Sequence, residues 1–334
     1  MMINQSFICR NTFGRSLILR GEPSFSHHNN SILLHDSLYT LGGVLVENST
    51  YCAGENLQGA FHYHVYAPRT VFLDHPPTEG PADCFWLGYF HDHFGHFLTS
   101  TLQRLWYLRH HKRRYAGYIA PNYRSFHDEG GFIVKILDSL KIDRSQILSL
   151  PENSLLKNID VAEPSFIENS HCYDVWSHFM RDIGQRILGK YSGTEHHRPV
   201  FLSRHRAAST TRRYDGEDAL GAVLEKLGIE LCYPESLSIE EQLKLWASHS
   251  TFIGFSGSAF MNAAFFQGKT IIVLNHDGYI FGTQRMIDES CHHKALYLDV
   301  DFFLKREEID PNRYVITDPE GLAAKIVKAV RSLT

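Results

Sequence analysis

Three stretches of the chain hold the side chains best suited to chemistry. The first is "FIGFSGSAF", residues 252–260, where an apolar run ends at Ser256, Gly257 and Ser258 and a helix of small residues follows. Free N–H groups and the positive dipole end at a helix start favour an anion such as a phosphate or pyrophosphate. The two hydroxyls could donate, and Gly257 would let the backbone come close. The same letters also fit a plain turn whose glycine relaxes the backbone and whose serine caps the helix. They match neither GxGxxG nor GxxxxGK[ST], so standard dinucleotide and P-loop readings gain nothing. Asn262, inside that helix, is read as orienting the turn.

The second stretch is "FLSRHR", 201–206, which puts Ser203, Arg204 and Arg206 at a strand end, with Arg212 and Arg213 following in "STTRRYD". A guanidinium suits bidentate phosphate recognition, although an arginine-rich loop is often only solvated surface. Nearby, "CYPESLSIEEQ" carries Glu235 past a strand end. A carboxylate there can accept from two adjacent sugar or ribose hydroxyls, or it is surface with Pro234 merely stopping the strand.

The third stretch is "HDHFGH", 91–96. His96 could take a proton near neutral pH, and Asp92 beside it could orient or tune an imidazole. His93, His96, Ser100, Gln103 and Tyr107 recur at helical spacing, the pattern either of a functional stripe or of a helix's wet side. A metal reading of His91, Asp92, His93 and His96 is weaker, because the order is not HExxH and no second ligand cluster appears. His62 and His64 form another dense pair, and "LDVD", 298–301, contains a DxD that is a weak metal signal.

These residues need a scaffold of alternating elements. The first 90 residues read as short strands ("SLILR", "GGVLVE", "RTVFLD", "CFWLGYF"), with "DHPPTEGPAD", 74–83, as a loop that breaks regular structure. A strong amphipathic helix is expected in "HFGHFLTSTLQRLWYLRHH", with Phe94, Phe97, Leu98, Leu102, Leu105 and Trp106 on its apolar face. Strands and helices then alternate, more regularly after a polar linker at 192–199. Ser238 and Glu241 form a capping box, and Gly228 stands where a helix C-terminus should be. The repetition implies an α/β fold with a parallel sheet covered by helices on both faces, whose ligands bind beyond the carboxyl ends of the strands.

Composition sets the outer limits. A chain of 334 residues favours two domains. A net charge of −4 gives no general attraction to nucleic acid or anionic membrane. No secretory leader or membrane-spanning run is expected. The six scattered cysteines, with no CxxC, fit a reducing compartment better than a disulfide or zinc framework.

Over 85–275 the sequence resembles glycosyltransferase family 61, through "GHFLTSTLQRLW", "VFLSRHR", "RRYDGEDAL", "YPESLSIEEQLKLWASHSTFIG" and "GSAFMNAAFF" in order. The resemblance implies a bacterial-like member with a GT-B fold, two Rossmann-like domains facing a cleft. Residues 1–191 would form an acceptor-side domain and 192–317 the nucleotide-sugar-binding domain. Residues 318–334 would be a closing helix that crosses back onto the first domain. It also implies inverting transfer from a nucleotide-diphosphate sugar, expected to be UDP-linked, to a hydroxyl of a glycan or glycolipid in polysaccharide biosynthesis. No cofactor and no divalent metal are expected. The implied donor site comprises Ser203, Arg204, Arg213, Glu235, Ser256, Gly257, Ser258 and Asn262, and the implied catalytic residues are His96 and Asp92. The expected location is cytoplasmic, extending to peripheral contact with the inner face of a membrane, and no nucleic-acid partner is expected.

The chain departs from the family pattern at Ser100, where an acidic residue is usual, at Ser256, where a histidine is usual, and at Gly216 in place of asparagine, while Glu217 matches. These departures motivate the alternative of a catalytically weak or inactive nucleotide-sugar or glycan-binding protein. A metal-dependent hydrolase is a third reading.

Overall fold

The structure is a computed structural model, and it describes residues 8–51, 67–111, 113–124, 131–206 and 212–333. His62 and His64 lie outside the described residues. The fold is mixed α/β, and the chain divides into two compact units. One runs over Gly14–Ile183; the other joins the residues up to Phe13 with everything from Gly184 on.

The later unit is built on five parallel strands, Val200–Leu202, Glu230–Cys232, Thr251–Phe255, Thr270–Asn275 and Lys294–Asp299. Numbered along the chain, they lie in the order 2-1-3-4-5. The order in which the chain adds strands therefore reverses between the first and third strands, and in such sheets ligands bind at that switch point, beyond the carboxyl ends. Thr251–Phe255 is buried at every position, as expected of a central strand covered on both faces. Ser238 caps the helix Ile239–Ser248, with its side chain accepting from Glu241 N while the Glu241 carboxylate accepts from Ser238 N. Such a cap stabilises a helix by about 1 kcal/mol.

The closing helix Pro319–Leu333 packs in the core of the later unit. Its Leu322, Ala323, Ile326 and Ala329 are buried with Leu220 and Leu224 of the helix Glu217–Lys226 in the core of its own unit. The apolar stripe, spaced three and four apart, completes the cover of the parallel sheet.

The earlier unit has a six-stranded sheet of mixed sense rather than a parallel one. The strands Thr78–Trp86, Gly117–Ile119, Ile147–Leu148 and Ser154–Ala162 pair in parallel, whereas Phe25–Leu34 runs antiparallel to Ser154–Ala162 and to Ser37–Tyr39. Thr78–Trp86 begins inside the segment expected to be a loop. Pro81 is accommodated because the pairing register shifts between Glu79 and Ala82, and a bulge tolerates a residue that cannot donate. The expected strands at 42–47 and 69–74 amount to isolated bridges, Val44 to Thr70 and Tyr39 to Leu45.

The expected long helix after residue 93 is irregular. One α-turn, Phe94–His96, passes into a π-helical turn, Phe97–Thr101, and then into 3-10 geometry over Leu102–Arg109. Of its polar stripe, Ser100, Gln103 and Tyr107 are buried, as is Arg104 beside them, while His93 is exposed and His96 half-buried. Arg104 donates to the carbonyls of Ala162 and Thr50, and Gln103 O accepts from Ser165 N–H and hydroxyl. These side-chain and backbone bonds to neighbouring segments compete with the regular ladder and hold the helix out of ideal geometry.

Candidate active site

The carboxyl ends of the later unit's strands bring most of the expected donor-site residues together. Ser203 and Arg204 follow Val200–Leu202, and Ser256 and Gly257 follow Thr251–Phe255, the two strands that flank the switch point. Arg204 is tied from both ends. Its backbone N–H donates to Glu217 Oε1 at 3.0 Å, and its Nη1 donates to Ser256 O at 3.3 Å. Glu217 is buried at the start of its helix; burial pushes its carboxyl up, against the bonds from Arg204 and Ser203. It anchors the strand end to the helix behind it.

The reason for a glycine at 257 is contact, not conformation. Its φ of 167° is extended backbone open to any residue. A Cβ there would lie 3.0 Å from Arg204 Nη1, tighter than ordinary packing. The 3-10 helix Ser258–Phe265 starts at the next residue, and its first N–H groups have no helical acceptor. Asn262 is buried and donates to Ala259 O at 3.2 Å and Gln242 Oε1 at 2.8 Å, which ties the turn to the helix Ile239–Ser248.

Two expected residues stand apart from this group. Arg213 is exposed in the strand Arg213–Asp215, where alternation places it on the face opposite buried Tyr214. Its neighbour Arg212 is the one that acts electrostatically on Tyr214 and His276. Glu235 is exposed in a single 3-10 turn, Pro234–Ser236. Sequence reasoning also missed His276, directly after the strand Thr270–Asn275. It is buried, with Nδ1 3.0 Å from the Tyr214 hydroxyl and its ring against Tyr314.

In the earlier unit, His96 has an acidic partner, but it is Glu168 rather than Asp92. Nδ1 of His96 lies 2.8 Å from Glu168 Oε1, while Asp92 is exposed in the preceding loop. The same Glu168 oxygen accepts from Ser100 Oγ at 2.9 Å and from Thr99 Oγ1. Tyr51 donates in turn to Ser100 Oγ at 3.3 Å. The hydrogen bond to Glu168 raises the His96 pKa against the opposing effect of burial. Burial alone would push Glu168 up; the bonds from His96, Thr99 and Ser100 outweigh it and hold the carboxyl below its usual range. His91, desolvated and repelled by His96, drops to about 4 and stays neutral at physiological pH.

The signal for Glu168 was thin, a lone acid in "PSFIENSH" 72 residues beyond His96. Its carboxylate reaches the Ser100 hydroxyl from outside the helix. Among the described residues, no three His, Cys, Asp or Glu side chains are grouped to hold a metal ion. Asp299 of "LDVD" accepts from Asp301 N at 3.1 Å, closing a turn. No helix among the described residues is long and apolar enough to cross a membrane.

A half-buried histidine on a buried glutamate in one unit and an arginine–glycine strand end in the other are parts suited to group transfer. The family described as Glycosyltransferase 61 matches residues 94–273, more than half the chain. That span contains His96, Glu168, Arg204 and Gly257. No curated protein matches the sequence.

Proposed function

The chain belongs to glycosyltransferase family 61 and is a glycosyltransferase; from that premise we propose an inverting transfer that needs no divalent metal. The donor is a nucleotide-diphosphate sugar, with UDP the first candidate nucleotide, and the acceptor is a hydroxyl of a glycan or glycolipid. The observation that carries this reading is Arg204, clamped between Glu217 and Ser256 and packed against Gly257 at the switch point of the parallel sheet. A fixed guanidinium and the amides from Gly257 onward would stabilise the charge that develops on the leaving diphosphate, a role often worth a few kcal/mol per donor.

His96 acts as the base. With Nδ1 engaged by Glu168, Nε2 takes the acceptor's proton as its oxygen attacks the anomeric carbon, on the face opposite the leaving group. Glu168 fixes the tautomer and stabilises the imidazolium, as a carboxylate does in other His–acid pairs. A cytoplasmic site of action, including the inner face of a membrane, suits a donor of this class.

The test is a transfer assay against a panel of nucleotide sugars and glycan or glycolipid acceptors, in the presence of chelator. Release of nucleoside diphosphate with an inverted glycosidic product is expected. Donor binding without release or transfer would favour a binding protein on this scaffold, and activity lost in chelator and restored by metal would overturn metal independence.

A further inference from the structure

Where the carboxyl end of the later unit's sheet meets the strand Arg213–Asp215, one buried histidine has a ring nitrogen with no hydrogen-bond partner among the described residues. His276 Nδ1 lies 3.0 Å from the Tyr214 hydroxyl. Burial raises the Tyr214 pKa against the opposing arginines, so it is a phenol at physiological pH and able to donate to Nδ1. The Asp277 carboxylate near Nε2 favours the tautomer in which Nδ1 accepts and the ring proton sits on Nε2. The ring packs on Tyr314, whose centroid is 4.5 Å away, and Tyr214 stacks in turn on Phe255 at 3.8 Å. The imidazole cannot easily turn away.

Among the described residues Nε2 itself is buried without a hydrogen-bond partner, a state native proteins rarely keep without a reason. Its surroundings are cationic: Arg204, Arg212 and Arg306 all act on this ring electrostatically. Asp277 Oδ2 stands 3.3 Å from Nε2, unaligned for a hydrogen bond. A carboxylate oxygen thus sits where an anionic oxygen belongs. Asp277 occupies the left-handed region at φ 74° and is followed by Gly278 at φ 69°, so it sits in a tight turn just past the strand end.

We infer that His276 is a phosphate-binding residue of the donor site, a neutral imidazole whose Nε2–H is given to a diphosphate oxygen that replaces the Asp277 carboxylate. This rests on the donor site proposed above and adds to it a residue and an internal competitor. Burial and the repulsion of Arg212 lower the His276 pKa to about 4, which keeps the ring neutral and makes it a donor by tautomer rather than by charge. No proton is transferred in this step.

Inorganic pyrophosphate and UDP, titrated calorimetrically into the intact chain and its variants, test it. His276→Phe should bind both about 10- to 100-fold more weakly, the loss expected for a hydrogen bond to a charged group. His276→Gln, whose amide N–H falls near the place of Nε2, should stay within roughly fivefold of the wild type. Asp277→Asn should bind severalfold more tightly, a gain that a damaged fold would not produce. Wild-type affinity in folded His276→Phe, or no tightening in Asp277→Asn, would overturn the inference and leave the Arg204 site standing. Absence of both pyrophosphate and UDP binding in the wild type would remove the donor site itself, and this residue's role with it.

Discussion

The two candidate centres are positioned by different means. Arg204 and Gly257 stand where they do because two parallel strands end side by side, and the backbone does most of the placing. His96 is placed by side chains. Its helix is one α-turn running into a π-turn, and its partner Glu168 comes from a loop after the strand Phe166–Ile167, also held by Ser100 and Thr99. A strand-end site should tolerate loss of one side chain without moving. A site held by a hydrogen-bond hub should respond to changes at atoms that never touch substrate.

The sharpest test of that contrast removes the base. His96→Ala should lower transfer by about 10²- to 10⁴-fold, the usual range for a general base, while leaving nucleotide affinity unchanged. Steady-state kinetics paired with UDP titration measure both. Near-normal turnover would move the base elsewhere.

The hub comes next. Glu168→Gln should cut kcat by roughly tenfold or more and shift the pH profile. The carboxylate raises the His96 pKa, and a base works only when deprotonated, so wild-type activity falls as the pH drops through a value above the ordinary ~6.5. Without the carboxylate that limb should move to lower pH; an unmoved limb would assign it to another group. Stability follows the same pair. The raised His96 contributes below about 6.5 and loses that contribution as the pH rises through its folded value. The depressed Glu168 contributes above about 4.3 and loses it on acidification. The gap in melting temperature between wild type and variant should therefore be wider near pH 5.5 than near pH 9.

The smallest expected effect is at the strand end. Gly257→Ala would bring a Cβ to 3.0 Å from Arg204 Nη1, so the guanidinium must shift by a few tenths of an ångström. Because misplacement by a full ångström can cost 10²-fold, a loss of kcat/KM of about three- to tenfold is expected, mostly in donor KM. An unchanged KM would separate Arg204 from the donor.

The same contrast decides what was legible in the sequence. The parallel sheet, the Ser238 capping box and the grouping of Ser203, Arg204, Ser256 and Gly257 follow from periodicity and strand-end chemistry, which are local. Glu168 and His276 were missed because tertiary contacts define their partners, and a single acid or histidine outside a motif carries no period. Glu217 was noted only as a match to the family pattern, and the structure gives it a mechanical role under Arg204. The strand through Pro81 was misread because a bulge, visible only in the pairing, removes the usual objection to proline. The apolar stripe of the closing helix says that it packs but not on what, and the structure supplies the parallel sheet's core as one partner.

The most direct measurement of the central claim is a crystal structure of the protein with UDP or its nucleotide sugar bound, grown in chelator. The diphosphate is predicted beside Arg204 and the amides after Gly257, at the carboxyl ends of Val200–Leu202 and Thr251–Phe255. A diphosphate bound at any other place on the chain would contradict the account.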